Sequence, residues 1–182
     1  LSQWADVDPF MVNMNVGGGS GYDIACARAN KPILYSNELA NPKFDEIDYK
    51  PGFERNLWFV FQENKMNTAE AIRKIRSKKV SDADVRRISE ISEQWVKSKD
   101  LNEIMELMAT HEKIISSILG IPSVMKKYKD FNGAVKSLGA WGGDFMLAVS
   151  EMNGADVISY FTGNQRPTIF NWTEIVKNQS SE

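Results

Sequence analysis

The sequence predicts an α+β fold, in which a mostly antiparallel β-sheet packs against a helical layer. Segments with strand-like patterns lie far apart in the chain, at 57–62, 133–138, 145–149 and 168–172. A block of helical patterns separates the first of them from the other three. Because strands and helices do not alternate along the chain, this order favours an α+β fold over an alternating α/β fold.

The beginning of the chain predicts short helices followed by a strand. Residues 1–16 carry apolar side chains at roughly helical spacing, and Pro9 marks the place where a second helix begins, with Asp8 as its cap. A glycine-rich loop follows. The next segments predict a short helix over 23–29 and a strand over 32–36.

The middle of the chain predicts three helices after the first strong strand. Thr68 is a candidate cap for a helix that ends near residue 78. Ser81 and Asp100 each begin the spacing of a capping box and precede an apolar stripe, which predicts two longer helices. Gly120 ends the second of these helices near residue 119.

The last third of the chain predicts the rest of the sheet. The strands 133–138 and 145–149 are joined by a second glycine-rich segment. A helix over 155–162 and a final strand over 168–172 follow.

Composition narrows the classes of function. The net charge of −2 on 182 residues gives no electrostatic reason to expect nucleic acid or an anionic membrane as a partner. No apolar run approaches the ~20 residues that cross a bilayer, and no basic-then-apolar leader opens the sequence. The single cysteine, Cys26, suits a reducing compartment, and one cysteine with one histidine makes no zinc site. We therefore expect a cytoplasmic protein without a bound structural metal.

Two glycine-rich segments carry the functional signal. They are Gly17-Gly18-Gly19-Ser20-Gly21-Tyr22-Asp23 and Leu138-Gly139-Ala140-Trp141-Gly142-Gly143-Asp144. Backbone amides in such loops can cradle phosphate oxygens, and a carboxylate can orient or deprotonate an acceptor hydroxyl. Together the segments predict a phosphoryl-transfer site with Asp23 as its catalytic carboxylate. Taken singly, the first also fits a flexible turn with Asp23 as an ordinary N-cap, and the second fits a glycine-rich hairpin.

Three stretches resemble the GHMP superfamily of small-molecule kinases, which includes galactokinase, homoserine kinase, mevalonate kinase and phosphomevalonate kinase. Residues 20–25, Ser-Gly-Tyr-Asp-Ile-Ala, resemble the family segment in which a Ser-Gly pair precedes the catalytic aspartate. The strand 57–62 followed by Thr68 resembles the family strand that runs into a Thr-capped helix. Residues 136–144 resemble the third family motif, and their Gly-Gly-Asp ending is most similar to phosphomevalonate kinases.

The resemblance covers nearly the whole chain in order and implies the C-terminal portion of such a kinase. Residues 1–30 would then be the end of the N-terminal kinase domain, and residues 31–182 the C-terminal α+β domain. The implied activity is ATP-dependent, with Mg²⁺, and transfers the γ-phosphoryl group to a hydroxyl or phosphate of a small metabolite. Mevalonate or phosphomevalonate is the implied kind of substrate, and isoprenoid synthesis the implied pathway.

The resemblance also implies roles for individual residues, carried over position by position. Asp23 is the implied catalytic residue. The implied substrate-binding residues are Ser20, Gly21, Tyr22, His111, Lys136 and Ser137. The implied phosphate loop consists of Gly139, Ala140, Gly142, Gly143 and Asp144. His111 also fits a second interpretation, because a lone histidine on the apolar stripe of a helix is often a partly buried packing residue.

Two features depart from the family pattern. Trp141 stands where the family usually has a small residue, and no segment resembles Pro-x-x-x-Gly-Leu-Gly-Ser-Ser-Ala, the family's ATP-phosphate loop. The sequence also begins at Leu1 rather than at Met. We therefore expect that the nucleotide site lies mostly on a missing N-terminal kinase portion and that this chain alone is inactive.

The sequence leaves two other functions and the oligomeric state open. One alternative is a non-catalytic protein of the same fold that binds a metabolite. The other is a relative of diphosphomevalonate decarboxylase. A homodimer is one of the open assembly states.

Overall fold

The structure, a computed structural model, describes residues 7–16, 19–38, 41–63, 80–139 and 144–176. The chain divides into two units, Leu1–Lys50 and Pro51–Glu182. The domain boundary that the family resemblance implies, after residue 30, stays a prediction. The predicted helix over 68–78 lies outside the described residues.

The first unit contains two short helices and a two-stranded antiparallel sheet. The helices are α1, Pro9–Val16, and α2, Tyr22–Arg28, and the strands are β1, Ile33–Glu38, and β2, Asn41–Glu46. The predicted helix after Asp8 is confirmed, and the Asp8 carboxylate accepts a hydrogen bond from the Phe10 amide at 3.0 Å. The predicted helix and strand that follow it are confirmed within one or two residues.

Strand β2 is absent from the sequence-based expectations. Its sequence, Asn-Pro-Lys-Phe-Asp-Glu, is polar and contains Pro42, which cannot donate to a ladder and is therefore rare in strands. A two-stranded sheet tolerates such a residue, since each strand pairs on one side only. The register joins Ile33 to Glu46 and Glu38 to Asn41.

The second unit is built on a four-stranded antiparallel sheet with the order β4-β5-β3-β6. In chain order these strands are β3, Leu57–Phe61, β4, Ala134–Ser137, β5, Phe145–Val149, and β6, Ile169–Asn171. The central pair aligns Leu57 with Val149 and Phe61 with Phe145. The α+β fold with antiparallel pairing, predicted from the strand order, is confirmed.

Both faces of this sheet are buried, which explains why β3 is apolar at every position. Successive side chains of a strand point to opposite faces. Leu57 belongs to a core formed with α3, Asp82–Lys97, and α4, Leu101–Leu119. Trp58 and Val60 belong to a second core, on the other face, formed with α5, Gly154–Gly163, and with the segment around Tyr128.

Side-chain caps define the starts of the two long helices, as the sequence predicts. The Ser81 hydroxyl accepts from the Asp84 amide at 3.1 Å. The Asp100 carboxylate accepts from the amides of Asn102 at 2.7 Å and Glu103 at 3.3 Å. Each cap satisfies amides that have no partner within the helix. Gly120 ends α4 in the left-handed conformation, with φ of 65°.

The final strand ends one residue earlier than the sequence predicts. Asn171 closes β6 and caps a short helix, α6, Trp172–Ile175. Its side-chain carbonyl accepts from the Thr173 amide, while its side-chain amide donates to the carbonyl oxygens of Arg55 and Leu57. The prediction that Trp172 is in a strand is therefore wrong, because this capping box starts a helix at that residue.

In the described parts of the chain, no helix combines the length and the apolar character that crossing a membrane requires.

Candidate functional site

The first glycine-rich segment leads into α2 through a turn that only glycine accommodates easily. Gly21 is the N-cap of α2, has φ of 78° and is buried. A Cβ at this position would lie 3.1 Å from the Phe10 ring and 3.2 Å from the Tyr35 hydroxyl. Left-handed backbone and close neighbours therefore both favour glycine here. Gly17 and Gly18 lie outside the described residues.

The backbone beside Gly21 is held by side chains of β1. The Ser20 carbonyl oxygen accepts a hydrogen bond from the Tyr35 hydroxyl and another, at 3.1 Å, from the Asn37 side-chain amide. The Ser20 hydroxyl in turn accepts from the Tyr22 amide at 3.3 Å. Hydrogen bonds from Tyr35, Asn37 and Tyr22 therefore hold Ser20 in place before α2.

Asp23 lies in the first turn of α2, with its side chain exposed. At this place the partial positive charge of the helix N-terminus stabilises a carboxylate. The negative charge of Asp23 acts on Tyr35: burial of the Tyr35 hydroxyl, together with this charge, raises the pKa of Tyr35. Because the Asp23 carboxylate is exposed, the hydroxyl group of a ligand in solvent can reach it.

Tyr22 precedes Asp23 and packs on the same neighbour. Its ring meets the Tyr35 ring edge-on, with centroids 5.6 Å apart. Desolvation of the hydroxyl, followed by its hydrogen bond with Cys26, raises the pKa of Tyr22 to about 12. The phenol is therefore neutral at physiological pH.

The second glycine-rich segment joins β4 to β5. The Leu138 amide donates to the Phe145 carbonyl at 3.1 Å, which extends the ladder beyond β4. Gly139 and Asp144 are exposed at the two sides of the segment, and the Gln62 amide donates to the Asp144 carbonyl at 2.6 Å. Ala140, Gly142 and Gly143 lie outside the described residues, as does Trp141.

His111 lies on α4 and Lys136 on β4, and the charge of Lys136 acts on the His111 ring. Burial and, to a smaller extent, the positive charge of Lys136 lower the pKa of His111 to about 4. The His111 Nδ1 atom is buried and has no hydrogen-bond partner in the described structure. Burial lowers the pKa of Lys136, an effect that Glu112 opposes, and the Lys136 ammonium donates to the Ser137 carbonyl at 3.2 Å. At neutral pH His111 is therefore uncharged.

Glu112 is a buried carboxylate that the sequence-based site lacks. It is 4% exposed and accepts hydrogen bonds from the Val124 amide at 3.0 Å, and from the amide and the hydroxyl of Ser137 at 3.2 Å each. These bonds compensate the cost of burying the charge. They also join α4 to the end of β4, directly before the second glycine-rich segment.

The apolar stripe of α4 contains the signal that identifies Glu112. Met108 and Ile115 are buried on this stripe, and Glu112 lies one helical turn from each of them. His111, which the sequence places on the stripe, is only half-buried in the structure. A glutamate between buried apolar positions of a helix indicates that its carboxylate accepts hydrogen bonds from other buried groups.

The two glycine-rich segments belong to different units of the structure. Their convergence into one site therefore stays a prediction. Among the residues that the structure describes, no cluster of three His, Cys, Asp or Glu side chains could hold a metal ion.

Comparisons with known proteins identify the fold. No protein-family model matches the sequence, and no curated protein matches it. A solved structure from Listeria innocua is similar with a TM-score of 0.65 at 17% identity, over 87% of this chain and 55% of that one. The L. major mevalonate kinase, in complex with R-mevalonate, has a TM-score of 0.62 at 18% identity, over 86% and 53% of the two chains. The Methanococcus jannaschii mevalonate kinase has a TM-score of 0.55 at 20% identity, over 71% and 43%.

These likenesses show that the chain has the fold of mevalonate kinases. The chain spans about half the length of the solved structures that it matches.

Proposed function

We propose that the protein is a small-molecule kinase of the GHMP type, with Asp23 as its catalytic carboxylate. One observation carries the proposal: Asp23 is exposed in the first turn of the helix that follows the Ser20-Gly21 turn, in a chain with the mevalonate kinase fold. Fold by itself does not imply an activity. The position of a carboxylate at this turn is what favours phosphoryl transfer.

In the proposed reaction, Asp23 orients the acceptor hydroxyl and takes its proton as the hydroxyl oxygen attacks the γ-phosphorus of ATP. The bond between that phosphorus and the oxygen of the ADP leaving group breaks. The phenols of Tyr22 and Tyr35, whose pKa values burial raises, stay neutral and add no charge near Asp23.

The second glycine-rich segment is proposed to shape the phosphate and substrate end of the same site. Lys136 would bind an anionic group of the substrate, because its ammonium has donors beyond the one that bonds the Ser137 carbonyl. Neutral His111 would contact the substrate through hydrogen bonding. A small acid or phosphate ester such as mevalonate or phosphomevalonate fits this chemistry.

The nucleotide is proposed to bind mostly to an N-terminal portion of the kinase. The 182 residues contain no counterpart of the family's ATP-phosphate loop. Mg²⁺ would neutralise charge on the nucleotide phosphates. Mg²⁺ is usually held by one or two carboxylates together with the phosphates of the substrate. A cytoplasmic location and a role in isoprenoid synthesis complete the proposal.

The substitution Asp23→Asn in the full-length protein tests this function. We expect kcat to fall by at least ~100-fold, since general-base catalysis typically contributes that much, while the fold is unchanged. Asp82→Asn is the matched control, because Asp82 is also exposed in the first turn of a helix, α3. Turnover of mevalonate, phosphomevalonate and a panel of hydroxy acids and sugars would be measured. Near-normal turnover in Asp23→Asn would remove Asp23 from the mechanism.

A second candidate function is metabolite binding without catalysis. The missing ATP-phosphate loop in these residues favours it. In that case the full-length protein binds a small acid in calorimetry but transfers no phosphoryl group from ATP. Release of CO₂ in the same assays would instead identify a decarboxylase.

A further inference from the structure

We propose that Tyr35 and Asn37 are positioning residues, which hold the Ser20-Gly21 peptide so that Asp23 faces its substrate. This inference rests on the proposed function, since it assigns the two β1 residues to the work of Asp23. No pattern in the sequence indicates a role for either residue, and both lie outside the first glycine-rich segment, residues 17–23.

The observation behind it is the convergence of two side-chain donors on one backbone oxygen. The Tyr35 hydroxyl and the Asn37 side-chain amide both donate to the Ser20 carbonyl. A carbonyl oxygen has two lone pairs, so these bonds use its full accepting capacity. The donors come from alternate residues of one strand, which therefore present their side chains to the same side.

Holding the carbonyl fixes the peptide plane that leads into α2. A peptide unit is planar, and none in the described chain is cis. The direction of the Ser20 carbonyl therefore sets the direction of the Gly21 amide, which points the opposite way. Gly21 then begins the helix, since its carbonyl accepts from the Ala25 amide at 3.0 Å. Rotation of the Ser20-Gly21 peptide would therefore reorient the first turn of α2, which contains Asp23.

Packing around the turn supports a positioning role over a general packing role. The Tyr35 hydroxyl lies where a Gly21 Cβ would be 3.2 Å away, and the Tyr35 ring meets the Tyr22 ring edge-on. The Asp23 charge reaches the same phenol, which burial and that charge keep protonated by raising its pKa. Tyr35 thus contacts the residues on both sides of the Gly21 turn and stays a donor at neutral pH.

The test combines Tyr35→Phe and Asn37→Asp in the full-length kinase assay. Tyr35→Phe removes the hydroxyl and keeps the ring, and Asn37→Asp replaces the donor by a group that repels the carbonyl. We expect each to lower kcat by roughly tenfold, because Asp23 would be held less well in the orientation that the transition state requires, with KM changed less than about twofold. The unfolding midpoint should not change, while the NMR amide signals of Gly21, Tyr22 and Asp23 should shift.

Tyr160→Phe is the matched control, because the Tyr160 hydroxyl also donates a hydrogen bond, to Asp130 in the second unit. It should leave kcat at the wild-type value. Wild-type kcat in Tyr35→Phe and Asn37→Asp, alongside an inactive Asp23→Asn, would overturn the positioning role alone. A fall in kcat that comes with a lower unfolding midpoint and an equal change in KM would make Tyr35 a structural residue and also overturn it. Normal turnover in Asp23→Asn would instead defeat the proposed function.

Discussion

At the scale of single residues, the second unit contains a buried group of charges and polar atoms between α4 and β4. Glu112 receives three hydrogen bonds, Lys136 donates to a backbone carbonyl, and the Nδ1 atom of His111 has no partner among the described residues. Burial is tolerated because each charged group has internal partners, whereas His111 avoids the cost by staying neutral. The Glu112 bonds to Ser137 place this group at the end of β4, directly before the second glycine-rich segment.

His111 predicts a pH dependence of stability. Its pKa is about 4 in the folded protein, below its ordinary value of 6.5. Between these values the unfolded chain binds a proton that the folded protein does not, so stability falls as pH decreases from 6.5 towards 4. After allowance for the partial exposure of the ring, the loss should be roughly 1–2 kcal/mol.

Urea denaturation of the wild type and of His111→Gln at pH 7 and pH 4.5 checks this prediction. The variant has no group that titrates at this position, so it should lose less stability over the interval than the wild type. Carboxylates that titrate in the same range affect both proteins and cancel in the difference. Equal losses in the two proteins would contradict the low pKa of His111.

At the scale of elements, the packing of the start of β4 against the end of β5 leaves no room for a side chain at Gly133. A Cβ there would lie 2.1 Å from the Val149 carbonyl oxygen and 2.8 Å from the Phe131 ring. Val149 pairs with Ala134, the first residue of β4. The close approach of the two strands therefore depends on the missing side chain.

Gly133→Ala should destabilise the second unit by about 1–3 kcal/mol, because the new methyl group must displace β4 from β5. Tryptophan fluorescence during urea unfolding measures the change in stability, since Trp58 lies on β3, the strand that pairs with the other edge of β5. Gly163→Ala is the control: no atom lies within 4 Å of a Cβ there, and alanine favours the helix. An unchanged unfolding midpoint in Gly133→Ala would show that the strands are further apart than described.

At the scale of the whole molecule, the two units differ in how they are stabilised. Both apolar cores, one on each face of the four-stranded sheet, consist of residues between Pro51 and Glu182. None of the described residues of the first unit belongs to either core. Its helix α1 has no buried residue.

This division predicts that residues 51–182 fold without the first unit. The shortened chain should unfold cooperatively in urea and show the dispersed NMR spectrum of a folded domain, because every buried apolar cluster of the second unit is retained. The 182-residue chain serves as the reference. A gradual, non-cooperative transition in the shortened chain would show that the second unit needs residues 1–50.

Local patterns in the sequence determined most elements and their ends. Helix starts at Ser81 and Asp100 follow from caps that bond amides two or three residues away, and the continuous apolar run of β3 follows from burial on both faces. The candidate Asp23 and its glycine turn are likewise local. The fold class follows from the order of these elements, which the sequence shows directly.

Contacts between residues distant in sequence were decided only by the tertiary structure. Strand β2 exists because it pairs with β1, and the Asn171 side-chain amide bonds the carbonyl oxygens of Arg55 and Leu57. The hydrogen bonds of Glu112 with Ser137, and those of the Ser20 carbonyl with Tyr35 and Asn37, likewise join residues that are distant in the sequence. Periodicity and capping depend on neighbours within a turn or two, whereas these bonds depend on which strands and helices the folded chain brings together.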